Sequence, residues 1–175
     1  MGAFIKKIKF RNIFRGIAIA SVLIVTLSGC GINEKSNQEK IVEYSMVSIS
    51  MENTILAGET VYVNKNAYEN DIPERYDVIM FRHPDDVNEK SIGRIIGLPG
   101  ETVIIKNGKV YIDDDKDPLD DSFCPEDAIG DFGPYEVPDD SYFVLGDNRN
   151  CSKDSRFWNN TFVEKNDIYG KVKIE

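Results

Sequence analysis

From residue 41 to residue 174 the chain runs as short apolar stretches, each cut off by turn-forming residues, and that rhythm leaves little room for a helix. The stretches are 41–49, 60–64, 77–81, 92–98, 102–105, 110–112, 142–145 and 169–174. They are rich in Val, Ile, Tyr and Phe, which fit a pleated, half-buried surface. The clearest local unit is ETVIIKNGKVYIDD, in which Asn107-Gly108 supplies the positive φ angles of a type I′ hairpin turn. Gly97-Leu98-Pro99-Gly100 marks a second tight turn. The expected body, 41–175, is therefore mainly β and antiparallel.

Ahead of it, residues 16–32 read GIAIASVLIVTLSGCGI, seventeen positions without a charge. As a helix rising about 1.5 Å per residue they reach roughly 26 Å, just short of a ~30 Å hydrocarbon core. Residues 1–15 carry five Lys or Arg and no acid, so the positive-inside rule puts the N-terminus in the cytoplasm and the body outside. Two readings stay open: one uncleaved membrane helix, or a cleaved lipoprotein signal, since Leu27-Ser28-Gly29-Cys30 resembles a lipobox with Cys30 as the lipidated residue. Either one tethers the body to the cell membrane as a single-pass or lipid-anchored domain. Residues 33–40 form a polar linker.

Setting those five cations aside turns the formal net charge of −9 into −14 for the remainder. An acidic body is repelled by phosphates, which argues against a nucleic-acid partner. The acids concentrate in residues 113–140, with twelve Asp or Glu against the single base Lys116 and no apolar period, expected to be a small, solvated, loop-rich insertion. Asp113, Asp115 and Asp117 have the spacing of a calcium loop. Pro118 and Cys124 stand where that loop needs Gly and Glu, so no metal or cofactor is expected. Cys124 and Cys151 would lie in an oxidising compartment, where they are either paired or free.

Three boxes carry the chemistry. SISMENTILAG (48–58) centres on Ser50; RYDVIMF (75–81) is followed by RIIGLPGE (94–101); GDNRNCSKDSRFW fills 146–158. In kind and order they resemble the type I signal peptidase family, the Ser-Lys leader peptidases, in the Gram-positive type. The resemblance implies an antiparallel β fold behind an N-terminal membrane helix. It implies Ser50 as nucleophile, Ser48 beside the Ser50 N–H in an oxyanion hole, and Ser152 as support for the base. Asp147, Asp154 and Arg156 would hold the last box together, with an Asp154–Arg156 ion pair. Asn53 stands where the family usually has Pro, which leaves φ unset and is expected to loosen the turn under Ser50.

One part is missing. The family's general base is a lysine directly before the Arg of RIIGLPGE, and here that residue is Gly93. A serine hydroxyl needs a base within hydrogen-bond reach. Lys90, three residues earlier, should point to the opposite face of a strand unless a bulge breaks the parity. His83 lies ten residues away and reads as a surface residue. Loss of one member of a catalytic dyad or triad costs about 10⁴- to 10⁶-fold in rate, so the resemblance implies a cleft that binds exported preproteins without cutting them. It is similar to the catalytically deficient signal-peptidase-like proteins of pilus systems, whose partners are pilins and sortases. The competing readings are an active serine endopeptidase with a displaced base such as Lys90, and a β-domain lipoprotein in which Ser48, Ser50 and Ser152 are ordinary polar residues.

Overall fold

The computed structural model describes residues 39–174. The basic segment, the membrane segment with Cys30 and most of the linker lie outside the described residues. Among those described, no helix is long and apolar enough to cross a membrane. The strands in chain order are β1 (Ile41–Ser45), β2 (Thr60–Asn64), β3 (Val78–His83), β4 (Asp86–Gly97), β5 (Thr102–Lys106), β6 (Lys109–Ile112), β7 (Phe132–Glu136), β8 (Ser141–Leu145), β9 (Val163–Glu164) and β10 (Ile168–Lys173). They build one sheet of seven strands, ordered β1-β2-β10-β3-β4-β8-β9, and one of three, ordered β6-β5-β7.

Burial explains the order. Val78, Ile79, Met80 and Phe81 in β3 are all buried, which a strand between two neighbours and under two covered faces requires. β2, next to the edge, alternates exposed and buried, with Val61 and Val63 inward. One core gathers Met46, Met51, Ile55, Val61, Val63 and Met80; a second joins Ile96, Val103, Ile105, Val110, Phe143 and Leu145 between the sheets; a third holds Ile79, Phe81, Ile95 and Val144. The β5–β6 hairpin turns at Asn107 and Gly108, with φ of 49° and 78°.

The antiparallel body expected from the sequence is present, with corrections at its margins. β1 stops at Ser45 rather than residue 49, because the Met46 N–H donates to the Glu59 carbonyl and its own carbonyl accepts from Gly58. β4 begins at Asp86, six residues before the apolar signal, and those residues are polar because that half of the strand has one side open. The acidic stretch is exposed over most of its length, residues 113–118 throughout, but it is anchored to the body. Cys124, Ala128 and Asp121 are buried, Leu119 and Phe123 pack on the core between the sheets, and β7 pairs with β5.

Candidate functional site

Ser50 is presented by a turn that the core fixes from below. Met51 is fully buried and Ile55 nearly so, and the Met51 carbonyl accepts N–H bonds from both Thr54 and Ile55 at 2.7 Å. This leaves Ser50 half-buried above the turn. Its N–H donates to Ser48 Oγ at 3.1 Å. The turn is tied rather than loosened at Asn53, whose side-chain amide donates to the Asp147 carbonyl at 3.0 Å. Thr54 Oγ1 adds a bond to the Asp147 carboxylate. That carboxylate is clamped by Arg94, whose Nε and Nη2 reach its two oxygens at 2.9 and 2.6 Å. A planar, two-point pair of this kind fixes orientation as well as charge.

Gly93 lies on β4 directly opposite Ile79, and the pairing runs without a shift from Val78↔Arg94 to Arg82↔Lys90. Side-chain parity therefore holds across residues 90 to 93, and no bulge turns Lys90 to the face of Gly93. The Lys90 ammonium instead sits 5.2 Å over the Tyr169 ring. His83 lies on the face of Gly93, four residues along β3 from Ile79 and about 13 Å away at 3.3 Å per residue, just past a register shift between Arg82 and His83. Its Nδ1 accepts the Asp85 N–H at 3.1 Å, and its ring meets Trp158 edge-on at 4.9 Å.

β8 pairs with β4 only between Arg94 and Gly97. The Ile95 N–H and C=O bond toward the β3 side, to Asp77 and from Tyr76. By alternation the main-chain groups of Lys90 and Ile92 face the other way, where no strand lies among the described residues and only the Tyr44 hydroxyl reaches the Lys90 carbonyl, at 3.5 Å. The cleft follows this open edge.

Gly146 closes the arrangement. A Cβ on it would come 2.3 Å from Ser152 Oγ and 2.5 Å from the Ser50 carbonyl oxygen, so only a glycine lets these two segments meet. The Gly146 N–H donates to Asp154, which is gripped by Arg156 through Nε and Nη2, each at 2.8 Å. Arg149, also buried, bonds the Gly146 carbonyl and reaches Asp121 of the acidic stretch at 3.3 Å. From the same stretch, Phe123 lies 4.3 Å under the Arg94 guanidinium and meets Tyr76 edge-on. The two thiols are free: Cys124 is buried and Cys151 exposed, so the bridge that the sequence left open is not formed. Burial pushes the Cys124 thiol up to about 12, with Arg149 nearby pulling the other way.

The result is a cleft of about 650 Å³ lined by Ser48, Ser50, Gly93, Cys151, Ser152 and Asp154, with His83 and Trp158 along one wall. Asp147, Arg156 and Cys124 stand behind it. Gly93 itself is crowded on its Cα side, where a Cβ would come 2.5 Å from Val144 Cγ1. The Ser50 and Ser152 hydroxyls and a peptide-wide groove are thus brought together without a buried amine among the described residues. Sequence reasoning missed Gly146, Asn53 as a tie, and Phe123. Gly146 opens the GDNR box and was legible as a close-approach glycine, whereas nothing in the acidic run singled out Phe123.

The family described as signal peptidase, peptidase S26, matches residues 36–175. The chain is similar to signal peptidase I P of Bacillus subtilis subsp. natto, with 39% identity over 139 residues that cover 73% of this chain and 72% of that protein. It is also similar to a probable signal peptidase I-2 of Synechocystis sp., 37% identical over 132 residues covering 73% of this chain. The chain spans 59% of that protein and 64% of a signal peptidase I from Leptolyngbya laminosa. Among solved structures, a signal peptidase I from Enterococcus faecalis superposes with a TM-score of 0.50 at 33% identity, covering 59% of this chain and 98% of the other.

Proposed function

Because the chain belongs to the signal peptidase, peptidase S26, family, we propose that it is a membrane-tethered member that holds exported proteins in its cleft and does not cut them. The observation that carries this reading is Gly93 in a β3–β4 register that runs without a shift from Lys90 to Arg94. Ser50 and Ser152 line the cleft, and among the described residues no desolvated amine stands with them, since the lining lysines Lys90 and Lys153 are both exposed. Lys90 is turned to the other face and Lys153 is exposed, whereas a lysine acts as a base where burial disfavours its charged form. The open edge of β4 supports the binding half: an extended segment can add there as a strand, with main-chain bonds to Lys90 and Ile92.

On this reading the cargo is an exported preprotein or a pilin, the tether is residues 16–32 as a helix or Cys30 as a lipid site, and sortase systems are the natural neighbours. The experiment incubates the full chain in detergent with a preprotein carrying an Ala-X-Ala site, beside Ser50→Ala, Gly93→Lys and Gly93→Lys/Val144→Ala. The double variant gives the new side chain the room that Val144 Cγ1 now fills. Wild type is expected inert. One of the lysine variants is expected to cut at least about 10⁴-fold faster, in a Ser50-dependent way. Ser50-dependent cleavage by wild type would overturn the reading. It would favour an active peptidase with a displaced base, for which His83, on the face of Gly93, is then the first residue to replace.

A further inference from the structure

β1 and β4 are separated in the seven-stranded sheet by β2, β10 and β3, yet the sheet curls until both line the same cleft. Tyr44 of β1 crosses the gap, and its hydroxyl donates to the Lys90 carbonyl at 3.5 Å. We infer that Tyr44 determines specificity along the main chain of the bound segment. By covering one acceptor of the open edge, it selects a segment whose residue facing the Lys90 carbonyl has no N–H to offer, which is a proline. The inference rests on the peptide-binding reading above.

The strand fixes where the hydroxyl can stand. The Lys40 carbonyl accepts from the Lys65 N–H at 2.9 Å, and the Met46 N–H donates to the Glu59 carbonyl at 2.8 Å. By the two-residue alternation of an antiparallel ladder, the main chain of Tyr44 is bonded to β2 as well, opposite Val61. Its ring packs on the core cluster that holds Met46, Val61 and Ile92. The Lys90 ammonium is engaged elsewhere, over the Tyr169 ring, so the main chain of Lys90 is what the hydroxyl meets.

The effect is exclusion at one carbonyl. A peptide nitrogen bonded to a carbonyl oxygen sits about 2.9 Å from it. The Tyr44 oxygen, 3.5 Å from the Lys90 oxygen and on the cleft side, stands where that nitrogen has to go. The neighbouring groups stay open, because the N–H of Lys90 and both main-chain groups of Ile92 face a side with no strand among the described residues. A segment laid there finds the N–H of both residues but the carbonyl of Ile92 alone. Proline keeps its carbonyl and lacks the N–H, so it matches the edge as Tyr44 leaves it. Any other residue at that point has to swing the Tyr44 ring off the core or bury an N–H without a partner.

The test compares extended peptides that differ at one position, alanine against proline, with the position walked through the register. Binding to the full chain in detergent is read by fluorescence anisotropy. On wild type, one register is expected at which proline binds at least about threefold more tightly, the size of one unmade main-chain bond. Tyr44→Phe keeps the ring and removes the hydroxyl. It should tighten the alanine peptide of that register by a similar factor and leave the proline peptide unchanged. A second probe needs no variant: replacing that one peptide N–H by an ester oxygen should cost wild type nothing, whereas the same change facing the Ile92 carbonyl should weaken binding. Alanine preferred at every register on wild type would overturn the inference. So would a proline preference that survives Tyr44→Phe, or an alanine peptide that weakens when the hydroxyl is removed, since Tyr44 would then be accepting the peptide N–H. In each of these cases peptide binding stands. Binding of no peptide would overturn both readings.

Discussion

Gly146 sets the spacing between the two hydroxyl-bearing segments, and it does so by having no side chain. A methyl group there would press on Ser152 Oγ at 2.3 Å and on the Ser50 carbonyl at 2.5 Å, and one of these is backbone that cannot swing away. Gly146→Ala is therefore expected to cost about 1–3 kcal/mol of stability, as overpacking does, and to weaken peptide binding by pushing Ser50 and Ser152 apart. Chemical denaturation and the peptide titration measure the two effects separately. Cys124 gives a pH signature at the same scale. Burial raises its thiol from the ordinary 9.0 to about 12, so in alkali the unfolded chain loses a proton that the folded chain keeps. That stabilising contribution is complete below pH 9.0 and shrinks as pH rises from there toward about 12. Melting curves of wild type should fall more steeply over this range than those of Cys124→Ala, whatever their offset at neutrality.

β4 works as two half-strands. From Arg94 onward it is paired on both sides, whereas before that it is paired only with β3. The alternation of its main-chain groups yields a sharp contrast between neighbours. The Lys90 N–H faces the open side and the Ser91 N–H faces β3, so proline should be tolerated by the fold at one and not at the other. Lys90→Pro is expected to keep the melting temperature within a few degrees and to weaken peptide binding several-fold by removing one main-chain bond of about 0.5–1.5 kcal/mol. Ser91→Pro should unfold or strongly destabilise the body, read by circular dichroism. Equal effects of the two would mean that the open edge is not the binding surface. The polar character of residues 86–91 hid this half of β4 from a reading that looked for apolar runs, because an edge strand facing water needs no apolar partner.

At the scale of the whole molecule, the acidic stretch is bound into the body that carries the cleft. Phe123 lies under Arg94, Asp121 meets both Arg149 and Lys109, and Asn150 bonds Asp127 and Ile129. Phe123→Ala should therefore act on more than the loop that carries it. A single urea transition is expected, shifted by about 2–3 kcal/mol, together with weaker peptide binding because Arg94 loses the ring that backs its clamp on Asp147. A separate early transition for residues 113–140 would show the stretch to be an appendage instead. The sequence alone determined the β class, the hairpin at Asn107-Gly108 and the three boxes, because turn chemistry, period and box order are local properties of the chain. It also exposed the absent lysine, since the seven residues after Arg94 leave no room for another register. Tertiary structure alone decided which groups share a cleft, that Lys90 faces away, that Asn53 ties its turn to Asp147, and that the acidic run folds inward around Phe123 and Cys124. Those outcomes depend on pairing between segments up to a hundred residues apart, and local pattern carries no information about the strand or side chain on the other side.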